Sequence, residues 1–257
     1  MSSENTNTFT KENLNTYLSE LGKQYRKLCG KAVEAEIILV GGAAVLASYG
    51  FRDMTTDVDA LIRANASMKD AINMVGDKYG LPNGWLNADF TRTASYSPKL
   101  LQYSQYYRTF SNVLRVRTIS AEYLVAMKLV SGRQYKNDLS DVIGILLEHQ
   151  QKEHPLTLAD IERAAIQLYG GWEKVSATSQ SFIRSAMEHP NLHEVYEQIN
   201  RSEKEAKKIL VDFEERYPGV TNDANVDTIL KQAREKAESK AALLETLRAK
   251  RSTERER

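Results

Sequence analysis

Glu36-Ile37-Ile38-Leu39-Val40-Gly41-Gly42, followed fifteen residues after Gly42 by Asp57-Val58-Asp59-Ala60-Leu61-Ile62, is the stretch whose reading decides the fold. Residues 36–40 are a short, β-branched apolar run of the kind that makes a buried strand, and the two glycines end it. Ala43 to Ser48 then reads as a short helix. Its first turn has backbone N–H groups without intrahelical partners, and glycine lets those groups come close to a polyphosphate. In the second run, strand alternation over 57–62 puts Asp57 and Asp59 on one face and Val58 on the other. Two aspartates sharing a strand face sit close enough to ligate one or two hard divalent cations, Mg²⁺ or Mn²⁺, which bridge nucleotide phosphates and neutralise charge on a departing phosphoryl oxygen. Gly41 and Gly42 are therefore candidate nucleotide-binding residues, and Asp57 and Asp59 candidate metal-binding and catalytic residues. A solvated turn is the competing reading of the aspartates, and the apolar residues flanking them within a strand argue against it. Arg52, five residues ahead of Asp57, either faces the triphosphate or braces the loop by pairing with a carboxylate. The sequence leaves both open.

The 257 residues are enough for one or two domains with a good core. No stretch is long and apolar enough to span a bilayer, Met1 to Thr8 is polar, and the single cysteine, Cys29, has no partner for an internal disulfide. A cytoplasmic protein without a membrane partner is expected. The net charge is only +1, so global charge does not announce a nucleic-acid binder. Its distribution says more. Between Arg92 and Lys136 there are eight basic residues, Arg92, Lys99, Arg108, Arg115, Arg117, Lys128, Arg133 and Lys136, against the single acid Glu122. Tyr96, Tyr103, Tyr106, Tyr107, Phe110 and Tyr123 are interleaved with them, a composition that suits a strand of nucleic acid. The competing reading is a β-hairpin with a solvated basic face and a half-buried aromatic one.

The spacing predicts an amphipathic helix over 10–29 capped by Thr10, a helix from Ser67 to Tyr79 ended by Gly80, and strands over 101–110 and 113–118 around Ser111-Asn112. Ser120 is the expected cap of the next helix, and another runs from Asn137 to about His149. From Pro155 onward the pattern is helical only. Val226, Leu230, Ala233, Ala237, Ala241, Leu244 and Leu247 recur at four- and three-residue steps, a narrow apolar seam. That last helix either packs back on its own domain or makes a homo-oligomer.

The glycine pair and Asp-x-Asp resemble the nucleotidyltransferase superfamily with a pol-β-like palm. Within it, Gly41-Gly42-Ala43-Ala44, Gly50-Phe51-Arg52 and Thr55-Thr56-Asp57-Val58-Asp59 are similar to the AbiEii-like and DUF6036 nucleotidyltransferases of toxin–antitoxin and phage-defence systems. A second block fits the same group: Ser120 to Leu129, then Gly132-Arg133, then Lys136-Asn137-Asp138-Leu139-Ser140-Asp141. The resemblance covers about residues 36 to 147. It implies an α/β fold, a nucleotidyltransferase palm with a small mixed β-sheet over 1–150, followed by an all-helical C-terminal domain over 151–257. It implies that Lys128 holds triphosphate charge, that Asp138 positions the lysine or an acceptor group or acts as base, and that Arg133 contacts the nucleotide. Asp141, one turn further into its helix, is given the milder role. Members of the wider superfamily often carry a third carboxylate on a neighbouring strand. Leu114 to Thr118 offers only Arg115 and Arg117, which leaves Asp89, Asp138 or Asp141 to complete the metal site. The implied activity is metal-dependent transfer of a nucleotide from an NTP or dNTP, with ATP a natural donor, to an acceptor such as the 3′ end of an RNA, a tRNA in particular, in a toxin or antiviral role alongside a cognate inhibitor or effector protein. Synthesis of oligonucleotides from free nucleotides, nucleotidylation of a protein, and a degenerate nucleotide-binding regulator are the alternatives.

Overall fold

The structure, a computed structural model, describes residues 8–133, 135–222 and 225–236. Of these, 8–133 and 137–197 form one compact unit that continues past residue 150, and 135–136, 198–222 and 225–236 belong to a second.

The first unit is built on a mixed five-stranded sheet. Helix α1 (Lys11–Cys29) precedes strand β1 (Ala35–Leu39); helix α2 (Gly41–Ser48) leads to β2 (Val58–Arg63), and α3 (Ser67–Tyr79) to β3 (Leu86–Asn87). A hairpin of β4 (Ser104–Phe110) and β5 (Leu114–Ile119) follows. The order across the sheet is β3-β2-β1-β5-β4, with β1 antiparallel to β2 and parallel to β5. Helices α4 (Ala121–Ser131), α5 (Asp138–Gln151), α6 (Leu158–Tyr169) and α7 (Ala177–Glu188) come after the sheet, and the division between units falls within α8 (Leu192–Arg216). This is an α/β fold followed by helices.

Local chemistry explains the elements. Thr10 caps α1 through a reciprocal pair of bonds with Asn13, and Gly80 in the left-handed region closes α3. Ser111 and Asn112 both have positive φ, as a two-residue turn matched to strand twist requires. Val58, Ala60, Ile37, Leu39, Leu114 and Val116 lie on one face of the sheet and are fully buried. On that side α1 crosses β4 so closely that a Cβ on Gly22 would lie 3.0 Å from the Phe110 Cβ. The expected strand over 101–110 begins only at Ser104. Residues 98–103 form a 3₁₀ turn instead, because Pro98 fixes the first φ and the Ser97 hydroxyl accepts from Lys99 N–H. β2 likewise starts at Val58, which leaves Asp57 in the connection just ahead of it.

In the second unit, Ala206, Val226 and Leu230 form a small core with Tyr135, Ile209 and Leu210 against it. The first positions of the C-terminal seam are thus buried, while Ala237, Ala241, Leu244 and Leu247 lie outside the described residues. No described helix is long and apolar enough to cross a membrane.

Candidate active site

β1 ends at Leu39, and the chain turns at once into α2 with Val40 extended and Gly41 at φ +54. That left-handed value is what glycine supplies without strain. The Val40 N–H donates to the Asp59 carbonyl across 3.0 Å, which ties the start of α2 to β2. A Cβ built on Gly41 would stand 3.8 Å from Asp59 Oδ2, and one on Gly42 would stand 2.7 Å from Thr55 Oγ1 and 3.0 Å from Arg52 Nη2. Both glycines are therefore within van der Waals reach of the residues the sequence pairs with them. Thr55 is buried and donates its hydroxyl to Asp57 Oδ1 at 3.2 Å. Asp57 is exposed and Asp59 half-buried, so an aqueous cation can reach both.

These residues fit a hard divalent cation. Mg²⁺ takes oxygen donors, keeps several waters, and is commonly held by one or two carboxylates together with substrate phosphates. Asp57 and Asp59 supply that number of carboxylates, close to the half-buried glycines that start α2. Among the described residues no group of three or more His, Cys, Asp or Glu side chains is gathered as for a metal ion. Asp89 is exposed in a 3₁₀ turn, and Asp138 and Asp141 are engaged elsewhere.

They belong to a buried ionic network. Lys128 Nζ, near the end of α4, lies 2.8 Å from Asp138 Oδ1 and 2.7 Å from Asp141 Oδ2. Arg133 Nε donates to Asp138 Oδ2 at 2.9 Å, and Arg52 Nη1 donates to Asp141 Oδ2. The five side chains carry one more cation than carboxylate. Burial alone would push Lys128 towards the neutral amine; Asp138 and Asp141 outweigh it and hold the ammonium above its ordinary value. Burial would likewise raise Asp138, yet Lys128 and Arg133 keep its carboxyl well below the usual carboxylate range.

Arg52 joins the two halves of the site. Its Nε donates to the Met54 carbonyl at 3.0 Å, its Nη1 is held by Asp141, and its guanidinium borders Gly42. Of the two readings of Arg52, the structure shows the pairing with a carboxylate, and its guanidinium also lies beside Gly42. The milder rank given to Asp141 does not match its position: it is 2 % exposed, and both Lys128 and Arg52 converge on it. Spacing alone hid this, because Asp138 and Asp141, one turn apart, meet the same lysine.

The basic and aromatic residues of 92–136 do not share one surface. Lys128 and Arg133 belong to the network. Tyr103 stacks on Tyr123 with centroids 3.9 Å apart, Tyr107 donates to Asn15 Oδ1 of α1 at 2.9 Å, and Phe110 is buried. Arg115, Arg117 and the exposed Tyr106 remain together across paired strands.

A protein-family model for a nucleotidyltransferase of unknown function, DUF6036, matches residues 16–152, more than half of the chain. The chain belongs to this family. The matched span contains Gly41, Gly42, Arg52, Asp57, Asp59, Lys128, Arg133, Asp138 and Asp141, that is, both halves of the site. No curated protein and no solved structure matches the chain.

Proposed function

We propose that this protein transfers a nucleotidyl group from an NTP or dNTP to an acceptor with release of pyrophosphate, and that Asp57 and Asp59 hold the Mg²⁺ or Mn²⁺ it needs. The observation that carries the reading is the position of the Gly41-Gly42 helix start, where a Cβ on Gly41 would stand 3.8 Å from Asp59 Oδ2 and one on Gly42 would be crowded by Thr55 and Arg52. An anionic phosphate chain is favoured at a glycine-opened helix N-terminus, and the paired carboxylates lie beside it.

When bound, the cation supplies charge neutralisation to the phosphates and lowers the pKa of an acceptor oxygen. The chain's own residues do the rest. The N–H groups of α2 receive phosphate oxygens, and Arg52 extends that cradle with a guanidinium fixed by Asp141. Lys128 and Arg133 add positive charge from the buried network, which the net cation of the group directs at the departing pyrophosphate. The acceptor oxygen forms a bond to the α-phosphorus as the α–β bridging bond breaks, and its proton passes to solvent. Asp138 positions Lys128 rather than taking that proton: a carboxyl held so far below neutrality is a poor base at pH 7. The acceptor we favour is the 3′ end of an RNA, such as a tRNA, in a toxin or anti-phage setting, as the family resemblance implies.

Incubating the protein with each α-labelled NTP and dNTP, with and without total RNA, tests the reading. Label in RNA that depends on Mg²⁺ or Mn²⁺ supports it. Label in short products formed without RNA would assign oligonucleotide synthesis, label in protein would assign protein nucleotidylation, and no label anywhere would return the chain to a nucleotide-binding regulator.

A further inference from the structure

Side chains paired across neighbouring strands share a face, and the register of this sheet brings arginines together from opposite sides of β1. Glu36 on β1 pairs with Arg63 of β2 and Arg115 of β5; two residues along, Ile38 pairs with Leu61 and Arg117, and Arg117 in turn with Tyr106 of β4. Asp59 and Leu61 alternate onto the same face as Arg63. Ile38, in the middle of that face, is buried, so the part that leads to the candidate site follows β2 from Arg63 past the half-buried Leu61 to Asp59, with Arg115, Arg117 and Tyr106 on the far side of β1. Along β2 the distance from Arg63 to Asp59 is about 13 Å at the usual rise of a strand. The opposite face is filled by the core under α1.

The side chains of Arg63 and Arg115 are 65 % and 51 % exposed, and the Tyr106 residue is 63 % exposed. Arg117 is less free: its guanidinium donates to the Ser104 hydroxyl and carbonyl, which fixes its position. Glu36 is the acid between them, 3.6 Å from Arg63 and 3.9 Å from Arg117. Arg115 is paired in the same loose way with the exposed Glu34 at 3.6 Å; such pairs of solvent-facing arginines contribute on the order of 0–1 kcal/mol, so a phosphate can replace Glu36 on Arg63 and Glu34 on Arg115 at little cost. Arg63 and Glu36 fall outside the basic segment that the sequence marks, because they lie far upstream in the chain and only sheet pairing brings them to it.

We propose that this sheet face is the track of a single-stranded nucleic acid whose 3′ end is the acceptor, a proposal that rests on the nucleotidyl-transfer reading above. Positive charge, a solvent-exposed ring for base stacking and continuity with Asp57 and Asp59 favour a flexible single strand. Glu36 acts as a weak competitor that keeps the arginines in place until phosphates arrive.

Fluorescence anisotropy of a labelled oligouridylate with the full chain, in the absence of donor nucleotide, tests the track. Arg63→Glu and Arg115→Glu should each weaken binding at least tenfold and flatten the log–log salt dependence by about 0.7 for each phosphate that the variant no longer neutralises. Glu36→Gln should tighten binding several-fold, and Tyr106→Ala should weaken it. Arg108→Glu is the control, since Arg108 follows a bulge in β4 and lies over the Phe110 ring on the α1 side; it should leave binding within twofold of wild type. Equal losses for Arg108→Glu and Arg63→Glu, weaker binding with Glu36→Gln, tighter binding of duplex RNA, or no binding of the oligonucleotide would each overturn the track. Binding of a non-hydrolysable NTP analogue with Mg²⁺, measured separately, should be unaffected by these substitutions. Its failure in the wild type, with the oligonucleotide pattern intact, would sink the transfer reading and not the track.

Discussion

Lys128 stays charged inside the protein only because two carboxylates meet it. Removing it leaves Asp138 and Asp141 buried with fewer partners, and breaking a buried pair in this way costs about 3–5 kcal/mol. Lys128→Ala is therefore expected to lower thermal stability sharply as well as activity, a joint loss that urea denaturation and a transfer assay separate. Asp141→Ala should be as severe as Asp138→Ala, since it releases both Lys128 and Arg52; a mild effect at Asp141 with a severe one at Asp138 would contradict the network. The same groups set a pH dependence. The Asp138 carboxyl is depressed in the folded protein, so its contribution is present above the unfolded value of about 4 and is lost as pH falls below it. Lys128 is raised, so its contribution is full below about pH 10 and is lost as pH climbs through the folded value. Melting temperatures should hold a plateau between those limits, and Asp138→Asn should lose the acid-side part of the fall. Asp57, Asp59, Lys128 and Asp138 stand out in the sequence as candidates because short motifs carry them. The partner of Arg52 does not, since residues 52 and 141 meet only through the packing of α5.

At the scale of elements, the helix start of α2 is tightly constrained at Gly42. Gly42 faces a buried threonine hydroxyl and a braced guanidinium, neither of which is a loose chain end. Gly42→Ala should cost about 1–3 kcal/mol by overpacking and should raise the KM for donor nucleotide, readable from melting curves and initial rates. An unchanged melting temperature and KM would show that the cradle yields easily. The hairpin shows where sequence reading stops. Ser111-Asn112 signalled its turn correctly, but Leu101-Gln102-Tyr103 has strand-like apolar spacing and Pro98 overrides it. The adjacent Tyr106 and Tyr107 diverge for a similar reason: they alternate across β4, so Tyr107 anchors on α1 while Tyr106 faces water. Tyr107→Ala should thus lower stability and spare acceptor binding, and Tyr106→Ala should do the reverse.

On the scale of the whole molecule, the mixed sheet was readable because β1 and β2 carry both the apolar alternation of a core strand and the motif residues. Strand order was not, because β1 joins β5 across about 75 intervening residues, and only packing selects that pairing. The same limit applied to charge: a net of +1 hides a sheet face rich in arginine and a buried network with its own balance. On the proposed function, both features serve nucleotidyl transfer at Asp57, just ahead of β2, and Asp59 within it. The most direct measurement compares wild type, Asp57→Asn and Asp59→Asn for transfer of label from an α-labelled nucleotide with Mg²⁺, in samples matched for melting temperature. Removing one of two adjacent anions relieves repulsion, so each variant should be as stable as wild type or more so. Activity should fall by about a thousandfold or more in both, the loss of several kcal/mol of charge stabilisation. Near-wild-type turnover in either folded variant would contradict the assignment of these aspartates as the catalytic metal site.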